Sequence, residues 1–234
     1  MKAIAHRGCM DDYPENTVGA FRGAAPKADA VECDVRRCRS GELVVFHDET
    51  LDRATDGTGR VDETDWSELR ERRVHGTDER IPRLEAVLEA VSADTTVTVE
   101  LKSEGLAADV VERIARVDND VIVSSFHWDE LRAARRAGAS TLAVLCYENP
   151  DGALSLATEL DCAYVHPPKE LCIGTDLVER AHDRGMKVNV WTAETREDVD
   201  ELRAAGVDGV STDSVDIVEY VSRVGEDGTG CAIR

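Results

Sequence analysis

The chain has 234 residues, 42% of them hydrophobic, enough for a sizeable core, and carries a formal net charge of −20. That acidic excess speaks against nucleic acid, whose phosphates it would repel over most of the surface. No apolar run approaches the roughly 18 residues of a membrane span.

Strand-like runs are expected at Lys2–His6, Ala30–Val35, Thr96–Leu101, Val121–Ser125, Thr141–Leu145, Ala163–Val165, Lys187–Trp191 and Gly209–Thr212. Between them, apolar residues recur at three- and four-residue steps, predicting helices over Arg83–Val91, Ala107–Val117, Trp128–Ala137, Thr175–Arg184 and Arg196–Ala205. Gly138, Gly185 and Gly206 stand where helix C-caps are expected. Eight βα units in this length imply a closed parallel (β/α)8 TIM barrel of a single domain, residues 1–224, with a polar tail over 225–234. A doubly wound open sheet is the competitor, but no glycine-rich fingerprint follows the first strand. The irregular stretch is an extra strand-like run at Leu43–Phe46 followed by the polar loop "HDETLDRATDGTGRVDETD". A long loop in a compact domain is usually functional.

Lysine is scarce (Lys2, Lys27, Lys102, Lys169 and Lys187), and arginine supplies the rest of the positive charge. Such a balance suits a protein adapted to high salt, or an ordinary acidic cytosolic one. The opening Met1-Lys2-Ala3-Ile4 has no secretory h-region, so a cytoplasmic location is expected. Cysteines at 9, 33, 38, 146, 162, 172 and 231 form no CxxC pair and read as reduced thiols. The terminal "CAIR" lacks the basic flank and the last residue of a prenylation box.

Period-2 alternation puts Val31, Cys33 and Val35 on one face of "AVECDV" and Glu32 and Asp34 on the other, towards the barrel interior. In "TVTVELK" the same rule sends Glu100 and Lys102 inward. Three carboxylates meeting at one mouth either hold a cation, with oxygen donors suiting Mg²⁺ or Ca²⁺, or form salt bridges with Arg7 and Lys102. Burying three carboxylates for structure alone is costly, which favours the cation. His6 and His47, each at the end of a strand, can serve as general acid and base, and Arg7 offers a fixed fork for phosphate.

"AHRG", "PENT", "VECDV", "VVFHDETLDRATDGTG", "VELK", "SSF", "WTAE" and "GVDGVSTD" follow one another in order across nearly the whole chain. This ordered set resembles the glycerophosphodiester phosphodiesterase family, TIM barrels related in mechanism to the bacterial phosphatidylinositol-specific phospholipases C. The resemblance implies that His6 and His47 are the catalytic histidines and Arg7 the phosphate-contacting arginine. Glu32, Asp34 and Glu100 would hold one divalent cation, Mg²⁺ or Ca²⁺ or alternatively Mn²⁺, with Lys102 beside them near the phosphate. Glu15 and Asn16 would belong to the loop that closes the site, and Trp191 and Phe126 would pack on the glycerol or alcohol end. The implied substrate is a small glycerophosphodiester, cleaved to glycerol phosphate and an alcohol, by analogy through a cyclic phosphate formed by the glycerol 2-hydroxyl.

Three departures stand out: "RRCRSGE" after Asp34, "STDSVD" without the proline usual after its Thr-Asp, and the short "SEGLAA" where many members insert a subdomain that walls the site. Rival readings are lysophospholipase D-type cleavage of lysophospholipids and a catalytically dead phosphate-binding barrel. A metal-dependent amidohydrolase lacks its His-x-His pair on the first strand.

Overall fold

The computed structural model describes residues 1–227. Among the described residues nine strands occur: β1 (Lys2–His6), β2 (Ala30–Arg37), β3 (Leu43–Val45), β4 (Thr96–Leu101), β5 (Val121–Ser125), β6 (Thr141–Leu145), β7 (Tyr164–His166), β8 (Lys187–Val190) and β9 (Gly209–Thr212). All but β3 pair in parallel in the order β1-β9-β8-β7-β6-β5-β4-β2, and β1 pairs with β2 to close the barrel. The eight expected barrel strands are present, with ends shifted by a few residues. The extra run is β3, which pairs antiparallel to β2.

Alternation along the strands builds the core. Ala3, Ala5, Val31, Cys33, Val35, Val97, Val99 and Leu101 are fully buried against the helices, as the period-2 reading requires. The helices are α1 (Val18–Ala24), α2 (Trp66–Leu69), α3 (Leu84–Ala90), α4 (Ala107–Ile114), α5 (Trp128–Ala137), α6 (Pro150–Glu159), α7 (Leu177–His182), α8 (Arg196–Ala204) and α9 (Val215–Asp227). In α5, Leu131 and Ala134 are buried while Arg132, Arg135 and Arg136 are not, and Gly138 ends the helix with φ 98°. The helix α9 packs on β1 and runs to Asp227, so the tail expected from 225 begins inside it. The rest of that tail, Cys231 included, lies outside the described residues.

The stretch from β3 to α3 wraps a separate small core in which Val44, Phe46, Leu51, Leu69, Val74 and Ile81 are buried together. This apolar plug makes the long polar loop a fixed structure beside the barrel mouth. Among the described residues, no helix is long and apolar enough to cross a membrane.

Candidate active site

Strand register brings the expected residues together. His6 pairs with Glu32 across β1 and β2, and Asp34 pairs with Glu100 across β2 and β4. Both pairs point inward near the C-terminal strand ends, where barrel enzymes place their chemistry. A cavity of about 400 Å³ opens there, walled by His6, Arg7, Glu32, Glu100, Phe126 and Trp191 among others. A smaller cavity of about 200 Å³ lies at the opposite end of the strands, lined by Lys2, Ile4 and Lys187, and reaches none of these carboxylates.

The turn after β1 is built to aim Arg7. Arg7, Gly8 and Cys9 all have positive φ, and a Cβ on Gly8 would stand 2.7 Å from Ala20 Cβ, so only glycine fits. Asn16, also at positive φ, donates its backbone N–H to Arg7 O at 2.9 Å and folds the loop back. Its side chain donates to Asp34 Oδ2 at 2.8 Å and accepts from Asp34 N at 3.3 Å. Thr17 then caps α1, its Oγ1 accepting from Ala20 N. "PENT" is therefore a brace for Asp34 and Arg7.

Glu32, Asp34 and Glu100 each present an oxygen such that these atoms lie within 4.8 Å of one another. The salt-bridge alternative is partly realised: Arg7 Nε is 3.2 Å from Asp34 Oδ2, and Lys102 Nζ is 2.7 Å from Glu100 Oε1 and 3.5 Å from Asp34 Oδ1. Arg7 and Lys102 pair with Asp34 and Glu100, and among the described residues no arginine or lysine side chain pairs with Glu32. Glu32 Oε1 and Asp34 Oδ1 are buried without a hydrogen-bond partner, which a buried carboxylate does not tolerate cheaply. The donor set, all hard oxygens with two of them orphaned, fits a divalent cation.

Electrostatics divides the cluster. Burial works to raise the pKa of Asp34, but Arg7 and Lys102 outweigh it and hold the group near 2. Burial and the charge of Asp34 push Glu32 up to about 8, and the same two causes raise Glu100.

Each histidine leans on a carboxylate. His6 Nδ1 is 2.6 Å from Asp213 Oδ1, and His47 Nδ1 is 2.6 Å from Asp48 Oδ1, so each ring turns Nε2 away from that partner, with His6 Nε2 3.8 Å from Glu32 Oε2. Burial lowers the pKa of His6, yet the Asp213 hydrogen bond and the Glu32 charge carry it above its ordinary value. Burial, helped by Arg7 and Lys102, leaves that of His47 below.

Phe126 meets Trp191 edge-on and Tyr147 stacks on it, both with ring centroids 5.8 Å away, forming an aromatic shelf at the rim. Lys102, Asp34, Glu15 and Asn16 do not line this cavity; Lys102 lines a neighbouring one together with Arg36 and His127. His47 is not part of the first cavity's wall either; it joins the cluster through Asp48 and the residues that Asp48 touches. Sequence reasoning missed Asp213, Asp48, Arg53 and Tyr147. Asp48 follows His47 directly and was legible as its partner. Asp213 meets His6 only because β9 pairs with β1, with Ala5 opposite Thr212.

The sequence model of the Glycerophosphoryl diester phosphodiesterase family matches residues 6–217, from the last residue of β1 into α9. This chain belongs to that family. A glycerophosphodiester phosphodiesterase of Caldanaerobacter subterraneus subsp. tengcongensis is 32% identical over 240 residues, covering 95% of this chain and 98% of the relative. A probable glycerophosphodiester phosphodiesterase 2 of Mycobacterium tuberculosis is 31% identical, over 94% of this chain and 89% of the relative. Among solved structures, a phosphodiesterase of Oleispira antarctica in complex with the product sn-glycerol-3-phosphate superposes with a TM-score of 0.85 at 27% identity, covering 95% of this chain and 97% of that one. A glycerophosphodiester phosphodiesterase of Thermotoga maritima gives 0.81 at 29% identity, over 97% and 98%.

Proposed function

We propose that this chain hydrolyses small glycerophosphodiesters to glycerol phosphate and an alcohol, with His6 and His47 moving the protons. The observation that carries the proposal is the convergence, at one barrel mouth, of a carboxylate-anchored His6, the Arg7 fork and the Glu32–Asp34–Glu100 cluster. Family membership and a relative solved with glycerol phosphate support the substrate class.

Glu32, Asp34 and Glu100 would hold the divalent cation, Mg²⁺ or Ca²⁺, which when bound supplies positive charge to the phosphate oxygens. Arg7 and Lys102 add fixed positive charge beside it and steady the charge that develops in transfer. His6 Nε2 takes the proton of the attacking hydroxyl as its oxygen bonds to phosphorus. His47 Nε2 gives a proton to the leaving alcohol oxygen as the old P–O bond breaks. Where the attacker is the glycerol 2-hydroxyl, water opens the resulting cyclic ester with the two roles exchanged. Asp213 and Asp48 fix the ring tautomers, while Trp191 and Phe126 pack on the glycerol or alcohol end.

Lysophospholipid cleavage draws on a different observation, the exposure of Phe126, Tyr147 and Ile173, which offers apolar surface to an acyl chain. The deciding experiment is hydrolysis of a panel of glycerophosphodiesters and one lysophospholipid, with chelator and with Mg²⁺, Ca²⁺ or Mn²⁺ restored. Metal-dependent release of glycerol phosphate from the small diesters is expected. Turnover of the lysophospholipid alone would transfer the assignment, and no turnover at all would leave a phosphate-binding barrel.

A further inference from the structure

Arg53 lies in the long loop, in the stretch "HDETLDRATDGTG", and its guanidinium grips two carboxylates at once. Nη1 and Nη2 donate to Glu15 Oε2 and Oε1, both at 2.8 Å. On its other edge, Nε and Nη2 donate to Asp48 Oδ2 and Oδ1 at 2.6 and 3.1 Å. Each carboxylate also touches a residue of the site: Asp48 Oδ1 holds His47 Nδ1 at 2.6 Å, and Glu15 Oε1 stands 3.3 Å from Arg7 Nη1. One continuous chain of charged contacts therefore runs His47–Asp48–Arg53–Glu15–Arg7 and joins the long loop to the turn after β1. The clamp has firm footings at both ends. Leu51 and Ala54, on either side of Arg53, are buried in the small core, and Glu15 is only 4% exposed.

We infer that Arg53 is a positioning residue that sets the orientation and acidity of His47 and, through Glu15, the aim of Arg7; this rests on the roles proposed above for those two residues. The physical reason lies in the shared carboxylate. Asp48 alone would favour the protonated form of His47; a guanidinium on the same carboxylate weakens that pull. The other charged groups facing His47 are Asp34 and Arg36 from β2, Arg7 from the turn after β1, and Lys102 after β4. Without Arg53, Glu15 turns its charge more fully on Arg7, which lessens the effect of Arg7 on His47. Both changes raise the affinity of His47 for a proton. A two-forked geometry cannot be copied by an ammonium, so charge and orientation are separable.

The test compares Arg53→Met and Arg53→Lys in the full chain in Mg²⁺-containing buffer, reading the His47 ring titration by NMR and turnover of a glycerophosphodiester. In Arg53→Met the His47 midpoint should rise by about one pH unit, and turnover should fall by about 10- to 100-fold as the ring loses its alignment. In Arg53→Lys the midpoint should return towards wild type while turnover stays depressed. A folded Met variant with an unmoved His47 midpoint overturns the inference. Should that variant not fold, Arg53→Lys decides: wild-type turnover overturns it, and depressed turnover with a near-normal midpoint supports it. Because the titration needs no substrate, the clamp can stand or fall independently of the substrate proposed above.

Discussion

Glu32 and Asp34 stand two positions apart on one strand, yet their acidities move in opposite directions. The neighbours decide it: at Asp34 the charges of Arg7 and Lys102 outweigh burial, whereas at Glu32 burial and the charge of Asp34 outweigh His6 and Arg7. With its pKa raised from 4.5 to about 8, Glu32 in the cation-free protein keeps a proton that an unfolded chain would release. That proton stabilises the cation-free fold below about pH 4.5, and the benefit is lost as pH rises towards 8. A cation must displace the proton, so affinity should strengthen as pH rises to about 8, with proton release at neutral pH. Calorimetric titration in buffers of different ionisation heat reads both. Glu32→Gln should weaken binding and reduce the proton release, while Asp34→Asn and Glu100→Gln should each weaken binding. Affinity unchanged in all three variants would sink the metal assignment. For the histidines, replacement of either by Ala should cost on the order of 10² to 10⁴ in turnover. An activated aryl leaving group needs little protonation, so His47→Ala should recover on such a substrate and His6→Ala should not. The reverse pattern would exchange the two roles; near-wild-type turnover in folded, metal-loaded His6→Ala would make His6 structural.

The loop from His47 to Pro82 reaches the barrel mouth only because it folds on its own small core. Leu51 and Leu69 are both fully buried there, remote from the main core between strands and helices. Leu51→Ala should cost about 2–5 kcal/mol of local stability. It should speed amide exchange across residues 47–82 and lower turnover at temperatures where the barrel remains folded, since Asp48 and Arg53 ride on this loop. Exchange confined to wild-type rates there would mean that the loop does not depend on its plug. Much of this architecture was legible beforehand. Strict alternation in "AVECDV" and "TVTVELK" placed the three carboxylates inward, because one residue of slip would have sent Val31, Cys33 and Val35 into the mouth. Helix α1 escaped notice because "VGAFRGA" contains two glycines, poor helix formers. In α6, Asn149 caps the helix and Pro150 opens its first turn, a start signal that the sequence itself carries. Asp213 lay beyond reach for a different reason: its contact with His6 spans 207 positions and exists only after the last strand closes on the first.

On the whole molecule, 48 acidic against 28 basic side chains leave a net charge of −20, and the two consequences of added salt oppose each other. Salt weakens attractive surface pairs such as Arg39–Asp65, Arg132–Glu159 and Arg196–Asp216, which are well exposed. Pairs of this kind contribute little to stability in water, so their loss is minor. Salt also screens the repulsion among the unpaired acids, which acts over the entire surface and is relieved in the expanded unfolded chain. The screening length shrinks from about 10 Å at 0.1 M to about 3 Å at 1 M, so this second effect keeps growing through the molar range. The sum favours stabilisation. We expect the melting temperature to climb steadily from dilute buffer into molar KCl, for the chelated protein as well as the metal-loaded one. Sucrose, which strengthens burial by exclusion without screening charge, serves as the control. A rise in KCl that sucrose does not reproduce marks charge screening as the cause. A flat or falling curve in KCl would remove the salt-adapted reading, leaving an acidic protein whose surface charges are already balanced locally by its arginines.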